Sequence, residues 1–324
     1  MNKLLSVLLF SFSCSVSAGS FVLQDYNVVT IDVFNTTSHV DGTVFVGGDL
    51  LANNKIGIGE HLNSPYTGAS LQVAGNIKGN NGISVHGSVE VSESNTLSTF
   101  DNGNKVRVNG QEIQNSAGVS SNSELAITAM NYKNELEQAS TTFQSMESNG
   151  VLTYSESKKT TLQVDESLST DDYAVFDLND MNAFFSNTAN QEIEIMANNI
   201  SDIAGIIINV SGTMINQASN NSMVGNILSN FREKIIWNFY EATTINLSAN
   251  NFMGTLLAPL ATVTALGNID GSVGAYSLIT TREIHLENTV ITPPSTAIEV
   301  SEPATLMLFS LALVFFARRF TVNS

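Results

Sequence analysis

Four histidines, His39, His61, His86 and His285, are the side chains here best suited to metal or proton chemistry. They lie far apart, with no HExxH and no i, i+4 pair, whereas a zinc site needs three or four converging ligands. Cys14 is the only cysteine, and no GxSxG elbow offers a serine nucleophile. Asp41, Asp49, Glu90 and Glu93 are the carboxylates that could line one face of a polysaccharide-active enzyme. A carboxylate working with Arg or Lys is hard to assemble, because basic residues are scarce. Asp41, Asp49, Asp171 and Asp172, with the acid excess, raise calcium as a ligand; no EF-hand loop or GGxGxD repeat accompanies them, and solvated turns explain them as well. Trp237 could serve a binding surface, but Ile235-Ile236-Trp237 reads as core. The expectation is a protein without catalysis and without a resident cofactor.

The two ends carry addresses instead of chemistry. Residues 1–18 hold Lys3, an apolar run from Leu4 to Phe12, and Val16-Ser17-Ala18 as a small-residue cleavage site. That is a secretory signal peptide cut after Ala18, and its apolar run is too short to span a bilayer. Ser11 stands where a lipoprotein signal needs an aliphatic residue before Cys14. Cleavage leaves no cysteine, so disulfides cannot stabilise the mature chain. At the other end, Ser301-Glu302-Pro303 precede an apolar run from Ala304 to Ala317 and then Arg318-Arg319. The run is marginal for spanning, and the arginines would hold the end on the cytoplasmic side. On Glu302, Pro303, the hydrophobic run and Arg318-Arg319, this tail resembles the PEP-CTERM sorting signal, which exosortase reads in Gram-negative bacteria. Ser301 replaces the first proline of that pattern, and five residues follow the arginines. The resemblance implies exosortase-type sorting machinery as a partner, transient passage through the inner membrane, and a cell-surface or extracellular destination.

Charge narrows the partners. The chain has 324 residues, a formal charge of −17, 13% charged residues and 43% hydrophobic ones. Without Lys3, Arg318 and Arg319, 10 basic residues face about 30 acidic ones, which leaves the mature domain near −20. Such a surface repels nucleic acid and anionic lipid.

The elements between the ends read as an irregular parallel β-helix, a solenoid. In the stretch 251–286, short β-branched runs alternate with single glycines; Ile269, Gly271 and Val273 fall two apart and would share the inward face. A glycine there suits a close backbone approach or a bend. Val40-Asp41-Gly42-Thr43-Val44, Val73-Ala74-Gly75-Asn76-Ile77 and Val85-His86-Gly87-Ser88-Val89 repeat the apolar-x-Gly-x-apolar step at irregular intervals. A β-sandwich is the competing architecture. Residues 53–70 read as a loop carrying Pro65, and residues 95–118 as polar with one short strand at 105–108. Residues 177–187 read as a short helix, and Ile206-Ile207-Ile208-Asn209-Val210 as a strand buried on both faces.

One long helix interrupts the coils at about 122–148. Leu125, Ala129, Tyr132, Leu136, Ala139, Phe143 and Met146 step by four and three, so one face must be buried, and packing on the solenoid flank outranks a coiled coil. Ser123 is its expected cap and Gly150 its stop.

In order along residues 21–291, Tyr26-Asn27-Val28, the words from Val40 to Asp49, Ile208-Asn209-Val210-Ser211-Gly212, Trp237-Asn238-Phe239 with Ala242-Thr243, Phe252-Met253-Gly254-Thr255-Leu256-Leu257-Ala258-Pro259, Asn268-Ile269-Asp270-Gly271-Ser272-Val273 and Glu283-Ile284-His285 resemble the choice-of-anchor A domain. The resemblance implies a bacterial surface adhesin, some relatives being labelled collagen-binding, with no catalytic residues. Gly254–Pro259 and its flanks are also similar to the ice-binding-like β-helix family. Ice binding would need a flat Thr-x-Thr ladder, and Thr262-x-Thr264 stands nearly alone, while the adjacent pairs Thr36-Thr37, Thr243-Thr244 and Thr280-Thr281 point to opposite faces. The chain thus divides into a signal peptide (1–18), a β-solenoid (19–298) and a sorting tail (301–324). The expected function is binding of extracellular polysaccharide or of a matrix or surface protein. A self-assembling matrix or biofilm protein is the alternative, ahead of an ice-binding-like protein or a β-helix enzyme.

Overall fold

The computed structural model describes residues 20–294 apart from 64, 65, 67, 80, 156, 157, 171, 180–184 and 186–190. Ala18, Glu302, Pro303, Arg318, Arg319, Pro65, Asp171 and most of the short helix expected at 177–187 lie outside the described residues. Among those described, no helix is long and apolar enough to cross a membrane.

The chain is a mainly β solenoid whose coils lay short parallel strands on three faces. On the first face the spatial order is 173–178, 205–210, 235–238, 255–258, 273–275, 28–30, 44–46, 69–73, 88–91 and 118–121. Because side chains alternate along a strand, a parallel register stacks like on like. Phe176, Ile208, Trp237, Leu256, Val273, Val28, Val44, Leu71 and Val89 form one continuous inward row, all buried. The second face runs through Met214–Asn216, Thr244–Leu247, 262–265, 278–280, Phe34–Thr36, Leu50–Ala52 and Ile77–Gly79. Its inward row is Ile215, Ile245, Val263, Leu278, Phe34, Leu50 and Ile77. The third face is made of strands of two to five residues, from Glu192–Met196 to the two-residue Ile269–Asp270 and Ile284–His285.

Spatial order is not chain order. The first winding begins mid-solenoid at residues 28–36 and proceeds to one end; the second begins at the far end and returns. They meet where Val28 pairs with Val273, Phe34 with Leu278 and Val40 with Ile284. The long helix, Leu125–Gln144, carries the chain between the ends. Twenty residues give ~30 Å of helix, or about six strand spacings of ~4.8 Å. One helix therefore returns the chain most of the way.

Its apolar stripe explains why it lies where it does. Leu125, Leu136, Ala139 and Phe143 are buried against Val175, Ile207, Ile236, Leu257, Val29 and Phe45, the outward residues of the first face. That second core is why Ile206–Val210 is buried throughout. The helix limits differ from expectation. It starts at Leu125, and the amide of Glu124 donates to Asn122 Oδ1 at 2.9 Å, so Asn122 does the work assigned to Ser123. It ends at Gln144, ahead of Gly150, whose amide donates to Val175 O while the ring of Phe176 packs against its Cα.

The apolar-x-Gly-x-apolar words are corners, which corrects the reading of 269–273 as one strand. Ile269 closes the third face and Val273 opens the first, with Gly271 in the bend. Val73 and Ile77 likewise end the first face and begin the second around Gly75. Both flanking residues point inward because the chain turns between them. A Cβ at Gly271 would lie 2.3 Å from the Gly254 carbonyl oxygen, and one at Gly75 equally close to that of Gly48. Corners of successive coils touch backbone to backbone.

Two segments read as irregular are strands. Residues 53–70 contain Ile56–Ile58, a buried rung; a coil needs so few inward residues that two isoleucines around a glycine suffice. Residues 95–118 hold Leu97–Phe100 and the start of Gln111–Ser121 besides Lys105–Val108. These antiparallel strands close one end of the solenoid with largely exposed side chains, hence their polar sequence.

Candidate functional site

Each face of the solenoid offers a different chemistry, and the first is closed. Beneath the helix, Asn238 Nδ2 donates to Ser140 O at 2.8 Å and to Asn209 Oδ1 at 2.9 Å, and the Ser140 hydroxyl donates to Asn238 Oδ1 at 2.6 Å. Asn209 Nδ2 donates to Phe143 O at 3.0 Å and to Asp177 Oδ1 at 3.1 Å. This buried amide ladder ties the last turns of the helix to three adjacent strands. It explains the asparagines inside otherwise apolar words, a role that local periodicity does not reveal. Trp237 is core, as expected, with Nε1 donating to Met253 O at 2.9 Å.

The second face is open. Its outward positions form a row across the coils: Asn216, Asn246, Thr264, Ile279, Asn35, Leu51 and Lys78, with Thr244 and Thr262 alongside. The row is uncharged until Lys78, which pairs with Asp49. That ion pair and the Asn76 amide hold the Asp49 carboxyl below its ordinary range. On a chain this acidic, an unbroken uncharged strip stands out. Apolar side chains fringe it, Met214 being 64% and Tyr276 41% exposed, with Leu260 and Leu266 at the corners. Asn246 Nδ2 donates to Asn216 Oδ1 at 2.8 Å, so neighbouring coils hold each other's amides level. Thr262-x-Thr264 is less isolated than expected, since Thr244 extends the hydroxyl row by one coil; Ser277, next in register on the other side, is buried and accepts the Val33 amide. The Thr-x-Thr unit itself does not recur on those coils.

The third face gathers charge. Register sets His285 beside Asp270, with Nδ1 2.5 Å from Asp270 Oδ1 and Nε2 3.3 Å from Glu283 Oε2. His61 Nδ1 lies 2.8 Å from Asp41, and His39 Nδ1 2.7 Å from Glu60. Three of the four histidines thus share one face as separate imidazole–carboxylate pairs, correcting the picture of scattered residues. Among the described residues, no three His, Cys, Asp or Glu are arranged to hold a metal ion.

The carboxylates considered for catalysis do not share a face. Asp41 sits on the third face, Asp49 at the corner leading into the second, and Glu90 on the first, accepting from Gln72 and Asn122. Glu93 follows the strand that ends at Val91, beyond that face. Asp172 caps a turn by accepting the Ser169 amide and hydroxyl, and those bonds lower its pKa.

Residues 21–286 match the family model described as "Putative Ice-binding-like adhesive domain". No curated protein sequence matches the chain. Among solved structures, the chain is similar to the ice-binding protein of the Antarctic ascomycete Antarctomyces psychrotrophicus, at 9% identity and a TM-score of 0.34 over 83% of this chain and 96% of that one. A glycosylated ice-binding protein from an Arctic yeast aligns at 8% identity and a TM-score of 0.30, over 86% and 97% of the two chains. An ice-binding protein domain of Shewanella frigidimarina aligns at 10% identity and 0.31, over 81% and 93%.

Proposed function

The chain belongs to the ice-binding-like adhesive domain family, and from that premise we propose that it is an exported, non-catalytic adhesin of the choice-of-anchor A type. It binds an extended extracellular polymer along its second face. The observation carrying this reading is the level, uncharged row from Asn216 to Leu51 on an otherwise acidic solenoid. Amides and hydroxyls at strand spacing, interleaved with exposed methyl groups, suit a polymer that lies flat across several coils. The acidic remainder disfavours polyanions, so a neutral polysaccharide or a basic segment of a matrix protein is the fitting ligand class. Pull-down of the mature protein on an array of extracellular polysaccharides and matrix proteins tests this. Saturable capture by one ligand class is expected; no capture, with concentration-dependent self-association seen by light scattering, would make it a structural matrix protein.

Sorting by the PEP-CTERM-like tail, through an exosortase-type system in a Gram-negative envelope, is part of the same proposal. Deleting residues 301–324 is expected to move the protein from the cell surface to the spent medium. Unchanged location would remove the sorting role.

Ice binding is the second reading, favoured by the neighbouring hydroxyls of Thr244 and Thr262. The row is two coils long and ends at the buried Ser277, so no thermal hysteresis is expected. Clear hysteresis would replace the polymer by ice.

A further inference from the structure

The open row suits two ligand classes, and the backbone beneath it separates them. From Thr244–Leu247 to Phe34–Thr36, every strand of the second face is paired on both sides, so the face offers side chains and no free main-chain edge. Strand addition needs such an edge, and a peptide laid on the face would leave its own amides and carbonyls to water or to scattered side chains. The row from Asn216 to Leu51 also holds no carboxylate to receive a lysine or arginine. An uncharged glycan meets neither obstacle. Its polar groups are hydroxyls that bridging water can serve, and each ring also has an apolar C–H side.

One border of the face supplies a seat for that side. Between the paired positions Ala258–Ala275 and Thr262–Ser277, one coil turns the corner with Pro259, Leu260 and Ala261, and its neighbour with Tyr276 alone. Register thus sets Tyr276 beside Leu260, and the two are 41% and 46% exposed. The coil on the other side turns through Ile31 and Asp32, whose amide donates to Tyr276 O at 2.7 Å. Asp32 brings to this border a carboxylate that could accept sugar hydroxyls or attract a cation. Other tyrosines serve the fold: Tyr26 and Tyr132 pack on Phe45, and the Tyr173 hydroxyl donates to Thr292 O. Among the described residues, the Tyr276 ring has no aromatic neighbour and its hydroxyl no hydrogen bond.

We propose that Tyr276 is the stacking platform of a neutral-glycan site: one sugar ring lies on it, Leu260 widens the apolar seat, and Thr262 and Thr264 meet the hydroxyls along the row. This rests on the second face being the binding face, and it selects an uncharged polysaccharide over a basic segment. The electron-rich face of the phenol ring attracts the polarised C–H bonds of the sugar's apolar side, so the ring is held flat. Charge contributes little to such a contact, and binding persists in high salt. A basic ligand drawn to a chain of formal charge −17 is released by salt instead.

Binding of the full chain to immobilised dextran, xylan, galactomannan and cellulose, with immobilised polylysine as the charged arm, tests this. Saturable, salt-insensitive binding to at least one of the four glycans is expected. Tyr276→Phe should bind as the natural chain does, and Tyr276→Ala about fivefold more weakly or worse, with both melting as the natural chain does. Retention by none of the glycans would overturn the proposal, as would retention by polylysine alone, relieved by salt. So would a Tyr276→Ala variant of full affinity. In that last case Thr264→Arg separates the two claims: if it loses the glycan, the face stands and only the platform falls, and if it keeps the glycan, the face falls too.

Discussion

Replacing Asn238 by alanine is expected to lower stability by about 3–5 kcal/mol, because it strands several buried polar groups at once. The side chain is fully buried and makes three hydrogen bonds. Its loss leaves the Ser140 hydroxyl and carbonyl, and Asn209 Oδ1, without their partner. Each such group costs about 1–3 kcal/mol when water cannot reach it. At roughly 2–4 °C per kcal/mol for a domain of this size, the melting temperature should fall by about 10 °C or more. Asn246→Ala on the open second face deletes the same atoms where solvent replaces them, and should cost less than about 0.5 kcal/mol. Calorimetry of the two variants separates a tether from a merely polar residue. Equal melting temperatures would mean the ladder does not hold the helix down.

Gly271→Val is expected to be at least as damaging, by a steric route. The first atom of any side chain there would lie 2.3 Å from Gly254 O, on the backbone of the neighbouring coil. Gly254 cannot retreat freely: its own amide donates to Asp270 O at 3.0 Å, and a Cβ at that position would already crowd Ile235 and the Trp237 indole. Overpacking a rigid core costs about 1–3 kcal/mol, and a backbone obstacle sits at the upper end or beyond. The contrast is Gly110→Ala. Gly110 has a φ of +86° but open space around it, so only backbone strain of about 1–2 kcal/mol is paid. Denaturant melts should therefore rank Gly271→Val well below Gly110→Ala. The reverse order would deny that corners of adjacent coils touch.

These two residues also mark how far the sequence can be read. The stripe from Leu125 to Phe143 and the apolar run Ile206–Val210 announced a helix lying on a sheet, because burial on one side or both leaves a local pattern. The crowded glycines were legible as places of close approach. Their placement at corners was not, since a corner with inward residues on each side mimics a strand of period two. Asn209 and Asn238 were visible only as words in a family pattern, because their partners come from a distant helix. The order of the coils was hidden for the same reason. Nothing local in Val28 or Val273 says that the first and last windings meet, and coil lengths vary too much for a fixed repeat to align them. That alignment sets Asp41 against the coil that carries the His285–Asp270 pair and joins the two halves of the uncharged row on the second face. Those sites could be seen only once the coils were in register.

The central claim is that the second face is where the protein binds. It is tested most directly by measuring binding isotherms for the captured polymer with three proteins: the natural chain, Thr264→Arg in the middle of the open row, and Met130→Arg on the exposed side of the helix. Thr264 is half-buried between Asn246 and Ile279, so an arginine there lifts a ligand off the face without entering the core. Met130 is exposed on the opposite element and serves as the control. A loss of affinity of about tenfold or more for Thr264→Arg, or about 1.4 kcal/mol, with Met130→Arg unchanged and both melting as the natural chain does, is the predicted result. Full affinity in Thr264→Arg would contradict it and move the binding site off this face.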